Sequence, residues 1–171
     1  MSQRTRNSIG CVALASVLLV GGTSVATRAS TGSENGREGS RSEARKLEGT
    51  WYTDVTVRDC QTGVTLRTFP ALNTFAEGGT LIDTTTAVSP ALRSPGHGTW
   101  EKEDRHSYST VSLAFLFSPT GVWTGTQRIT QAIEIGPGGD DATSDASSQI
   151  FNTGGNLTAT QCSAAVLRRL E

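Results

Sequence analysis

The sequence predicts an all-β protein: a single eight-stranded antiparallel up-and-down barrel, preceded by a signal peptide and a disordered linker. Three observations lead there. From Leu47 onward, segments rich in Thr, Val, Ile and aromatic residues recur between clusters of Gly, Pro, Asn and Asp, and no window keeps an apolar pattern at helical spacing for more than about two turns. The composition, 35% hydrophobic with 19 Gly and only 18% charged residues, suits a small turn-rich β domain better than a helical bundle built from Ala, Leu, Glu and Lys. The β segments number eight with mostly short connections, and closing such a meander on itself removes both exposed sheet edges.

The elements follow in order. Strand one is expected over 49–60, with Trp51, Val55 and Val57 on one face and Tyr52, Asp54, Thr56 and Arg58 on the other. Gln61, Thr62 and Gly63 turn the chain. Strand two is expected over 71–77, after a Pro70 that belongs at an edge or a strand start. Gly78-Gly79 is a hairpin signal leading into strand three, 80–87, which is rich in Thr and poor in apolar mass. Pro90, Pro95, Gly96 and Gly98 make 88–98 the longest loop, with both histidines, His97 and His106, in loop or turn positions. Strand four is expected over 99–103, strand five over 107–117, strand six over 122–135, strand seven over 143–152 and strand eight over 157–166. Strand six alternates most clearly, with Trp123, Gln127, Ile129, Ile133 and Ile135 facing one way and Thr124, Thr126, Arg128, Thr130 and Glu134 the other.

Domain organisation reads as a signal peptide over 1–29, a linker over 30–46 and one barrel domain over 47–171. Arg4 and Arg6 precede an uncharged run over 9–20 and then small residues through Ala29, the order of a secretory signal. That run is shorter than the roughly 18 residues a membrane span requires, so no stable membrane span is expected. Cleavage is placed after Ala29, with Ala26 the alternative. The linker, STGSENGREGSRSEAR and Lys46, has no large apolar residue to bury. Secretion or a periplasmic location is the expected consequence.

Removing 1–29 takes Arg4, Arg6 and Arg28 and leaves 12 basic against 16 acidic residues, a net charge of minus four. The remaining cations are scattered, which argues against nucleic acid as a partner. Cys11 leaves with the signal, so Cys60 and Cys162 remain in an oxidising compartment, where an even pair forms a disulfide. Barrel closure pairs strand one with strand eight and brings these two cysteines to one seam.

No complete catalytic signature is present. There is no Gly-x-Ser-x-Gly elbow, and Gly136-Pro137-Gly138-Gly139 introduces no helix that could cradle a phosphate. His97, Glu101 and His106 do not have the spacing of a metal motif. No metal and no cofactor is expected. Three Trp residues are a generous aromatic supply for a barrel of this size, and aromatic walls with a few polar groups are what small-ligand pockets use. The candidate ligand-binding residues are Trp51, Trp100, Tyr108, Phe117, Trp123, Gln127 and Arg128.

Leu47-Glu48-Gly49-Thr50-Trp51 places a Gly-x-Trp at the opening of the first strand, which resembles the first signature of the lipocalins and the wider calycin group. The resemblance implies that Trp51 closes one end of the barrel and packs against a basic residue near the last strand, Arg168 or Arg169. The second lipocalin signature, a Thr-Asp-Tyr type run, is absent. The run from Arg93 through Gly96-His97-Gly98-Thr99-Trp100 to Glu101 looks like one found in small secreted bacterial proteins. The layout is also similar to that of the allene oxide cyclase barrel. Three functions are therefore expected in turn: binding of a small apolar or amphipathic molecule, an isomerase or cyclase on the same scaffold, or a structural or interaction protein with a filled barrel.

Overall fold

The computed structural model describes residues 47–170; the expected signal peptide and linker lie outside them. Among the described residues all regular structure is β. The strands are β1 (Gly49–Arg58), β2 (Thr65–Ala76), β3 (Thr80–Thr85), β4 (Gly96–Lys102), β5 (Ser107–Phe117), β6 (Trp123–Ile135), β7 (Asp141–Asn152) and β8 (Leu157–Arg169). Each pairs antiparallel with the next, and β1 closes the barrel on β8. The closing ladder runs from Trp51 opposite Arg169 to Arg58 opposite Cys162, so every strand edge is paired for at least part of its length. No helix among the described residues is long and apolar enough to cross a membrane.

The expected fold is the observed one, and several strand limits differ from expectation for physical reasons. β2 begins at Thr65 and carries Pro70 in its interior, opposite Asp54 of β1. The Pro70 carbonyl accepts from Thr86 N at 3.1 Å, toward the end of β3. A residue's N–H and C=O point to the same side of a strand, so the donor that proline lacks would have faced that thinning edge and costs the β1 ladder nothing. β3 stops at Thr85. β4 begins at Gly96, so His97 lies in a strand, exposed on the outer face, and not in a loop.

Gly96 and Gly98 read as chain breakers but serve as close-approach positions. A Cβ on Gly96 would lie 1.9 Å from Asp83 Oδ2, and one on Gly98 would lie 1.9 Å from the Val111 carbonyl oxygen. Only glycine lets β4 pass its neighbours there. β8 runs on to Arg169, beyond the expected 166.

The barrel has two unlike ends. One holds the short connections 77–79, 103–106 and 136–140 and the start of β1. The other holds the connections 59–64, 86–95, 118–122 and 153–156. The apolar core lies at the first end, where Leu47, Trp51, Phe75, Trp100, Tyr108, Ile133 and Leu167 are buried together. Cys60 and Cys162 form a disulfide near the second end, with their Cα atoms 5.1 Å apart. It ties the turn after β1 to β8.

Candidate functional site

The inward faces stack in layers, and the lowest is an aromatic floor. Trp51, 0% exposed, donates from Nε1 to the Leu47 carbonyl at 2.9 Å. The Arg169 guanidinium carbon sits 4.3 Å above its ring and is fixed by donation to the carbonyls of Glu48 and Gly139. Arg169 is thus the basic residue that the Gly-x-Trp resemblance left open. Arg168 lies outside, paired with Asp54 at 3.0 Å. Trp100 packs edge-on to Phe75, with ring centres 6.5 Å apart, and lies 5.9 Å from the Tyr108 ring centre. Its Nε1 donates to the Ala76 carbonyl at 3.0 Å. Each buried indole N–H therefore has a partner, and this end is closed by packing.

Above the floor the lumen is open. The cavity offers about 120 Å³ to the centres of water-sized molecules, far more than one water needs. Val55, Phe69, Ala71, Ile129 and Ala146 supply apolar wall, and Thr53, Asn73, Ser112, Gln127, Gln131 and Ser144 supply polar wall. Arg67 and Gln161, both exposed, also line it, which puts its mouth at the end of the long connections.

An ion pair crosses the cavity wall. Arg93 belongs to the connection 86–95, which is pinned to β5 through donation from Phe117 N to the Leu92 carbonyl at 2.9 Å and from Ser94 N to the Phe115 carbonyl at 3.0 Å. That anchoring turns Arg93 inward, where it is only 5% exposed. Its Nη2 meets Asp83 Oδ1 at 2.6 Å, its Nε donates to Gln127 Oε1 at 2.6 Å and its Nη1 donates to the Ser94 carbonyl at 3.1 Å. Asp83 Oδ2 accepts from Ser112 Oγ at 2.9 Å, and Gln127 Nε2 donates to Ser148 Oγ at 2.7 Å. One hydrogen-bonded chain thus links β3, the 86–95 connection and β5 to β7, and the buried charges cancel locally. Gln131 Nε2 donates separately to Ser144 Oγ at 2.7 Å. Thr53, 1% exposed, faces the same space, and its hydroxyl has no hydrogen-bond partner among the described residues.

At the mouth, Asp59 organises the β1–β2 turn. Its Oδ1 accepts from Thr62 N, Thr62 Oγ1 and Gln61 N at 2.7, 2.9 and 3.0 Å. Donation from Thr62 backbone and hydroxyl, and then from the Gln61 backbone, stabilises the carboxylate and holds its pKa below the ordinary value.

The candidate residues from sequence separate. Gln127 lies on the cavity wall. Trp51, Trp100 and Tyr108 form the floor. Trp123 stands exposed at the mouth end with Phe117 half-buried opposite it. Arg128, expected at the lumen or its mouth, is exposed on the outer wall, because Gln127 and Ile129 on either side of it point inward. Asp83, Arg93 and Thr53 were not among the candidates. Alternation with Leu81 marks Asp83 as inward, whereas a loop has no period to reveal Arg93.

No protein-family model and no curated protein matches the chain. Among solved structures, the crystal structure of Rv2717c from M. tuberculosis is similar at 15% identity and a TM-score of 0.37, over 75% of this chain and 95% of that one.

Proposed function

We propose that the barrel binds a small amphipathic molecule in its lumen, in an extracellular or periplasmic setting. The observation that carries this reading is the space above a packed floor, walled by apolar side chains and faced by the unpartnered Thr53 hydroxyl. A buried hydroxyl without a partner is costly, and a ligand's polar atom seated against Thr53 relieves that cost. The apolar part of the ligand then lies against Val55, Phe69 and Ile129, with Gln127 and Gln131 at its polar edge. Phe117 and Trp123 flank the entrance, and Trp51, Trp100 and Tyr108 set the depth. The disulfide supports the oxidising compartment.

Native mass spectrometry of the protein purified from its own host tests the reading. The expected result is a bound small molecule that leaves on unfolding, and whose occupancy falls roughly tenfold in Thr53→Val, the loss of about one hydrogen bond. A clean apo mass from the host-purified protein sinks it. The Asp83–Arg93 pair at the same wall favours a second reading, an isomerase or cyclase in which Asp83 accepts and returns a proton and Arg93 steadies developing negative charge. Incubating the released molecule with fresh protein separates the two: conversion to a new isomer supports the enzyme, and recovery unchanged supports carriage.

A further inference from the structure

We propose that the mouth end of the barrel docks on an anionic lipid surface. Two features of this end carry the proposal, one apolar and one electrostatic.

The first is apolar exposure. Val64, Leu66, Val122, Trp123 and Leu157 all stand exposed on the turns and strand tips of this end. The three connections of the opposite end, 77–79, 103–106 and 136–140, contain no large apolar residue, and the large apolar side chains exposed near them include Leu170, just past β8, and Tyr52. Trp123 is 45% exposed, yet its Nε1 already donates to the Gly125 carbonyl at 2.7 Å. The ring can therefore enter the boundary between headgroups and acyl chains without stranding its N–H. Tryptophan favours that boundary for its amphipathic shape.

The second is charge. The four mouth-end connections contain a single acid, Asp59, whose carboxylate is engaged by Gln61 and Thr62 of its own turn. Arg58 and Arg67 stand exposed beside it. Each connection of the opposite end carries acid: Glu77 in the first, Glu103 and Asp104 in the second, and Asp140 in the third. Arg105 offsets one of these acids and Arg169 pairs with Asp140 at 3.4 Å, so the far-end connections keep an excess of acid while the mouth end has an excess of cations, and an anionic surface favours approach by the mouth end. Exposed apolar side chains on the rim, two cations together on the β1–β2 hairpin and an excess of acid at the far pole match the recognition of anionic headgroups by peripheral proteins.

The test is co-sedimentation of the full chain, as purified from its producing cells, with phosphatidylcholine vesicles containing or lacking phosphatidylglycerol. Binding is read as the difference between the chain and its variants, so any contribution of residues 1–46 is common to all. Partitioning is expected to be roughly tenfold or more stronger on the anionic vesicles and to weaken with added salt. The double variants Val122→Ser/Trp123→Ser and Arg58→Glu/Arg67→Glu should each lose that advantage, while Glu103→Gln keeps it. As a second readout that needs no variant, quenching by brominated lipids reports Trp123, because Trp51 and Trp100 are buried. Equal partitioning on both vesicle types, rim variants that bind like the parent, or an unquenched Trp123 overturns the proposal. So does a concentration-dependent dimer that the same rim variants abolish without any vesicle binding, which assigns the surface to a second copy of the chain.

Discussion

Arg93 is the residue through which the lumen keeps its polar order. Replacing it with Met leaves the Asp83 carboxylate buried with Ser112 as its remaining donor, and removal of one partner from a buried pair costs about 3 to 5 kcal/mol. Arg93→Met should lower the urea midpoint accordingly, whereas Arg93→Met with Asp83→Leu should recover most of the loss, since a well-packed apolar pair replaces the ions at little net cost. A single variant within about 1 kcal/mol of the parent would show that water reaches the pair and screens it. The inward aim of Asp83 was readable from its spacing to Leu81, and that of Gln127 from the alternation of β6. The aim of Arg93 comes from backbone pairing between a loop and β5, a tertiary fact with no local signal. Gly96 and Gly98 show the opposite confusion: composition marks them as breakers, while the reason for glycine is the room a neighbouring strand and the Asp83 carboxylate require.

At the scale of strands, β-branched alternation and turn residues made the eight elements and their order legible. Their ends were harder, because Pro70 is tolerated where its missing donor faces the fraying edge of β3, and the charged tip of β8 remains in register with β1 through Trp51 and Arg169. The pairing of Cys60 with Cys162 followed from the closure of β1 on β8 and is observed. The bond spans 102 residues of chain, which in the chain-entropy model stabilises the fold by about 4 to 5 kcal/mol. Reduction, or Cys60→Ala with Cys162→Ala, should lower the unfolding free energy by up to that amount in guanidinium titrations. The far-ultraviolet β signature should survive, since the Trp51-to-Arg58 ladder with β8 does not need the sulfurs. Loss of the barrel spectrum on reduction under native conditions would mean that the seam is held by the disulfide and not by its ladder.

For the molecule as a whole, closure determines both the fold and the shape of the lumen: a packed floor at one end leaves the lumen to open at the other, beside the exposed aromatic and the two arginines. Closure also brings Leu170 N to within 2.8 Å of the Thr50 carbonyl, so the ends of the described chain meet at the floor. The barrel is for that reason a natural subject for circular permutation. Joining Leu170 to Leu47 by a short Gly-Ser bridge and opening the chain at Gly154-Gly155, an exposed turn, should give the same barrel with β8 first. The Cys60–Cys162 bond would then close a loop of roughly 25 to 30 residues, and its entropic contribution should fall by about 1 kcal/mol. Comparing oxidised and reduced stabilities of parent and permutant reads that difference directly. An equal gap in both would place the bond's benefit in native-state packing at the seam, and a smaller gap in the permutant would show that connectivity alone sets what the same two sulfur atoms contribute.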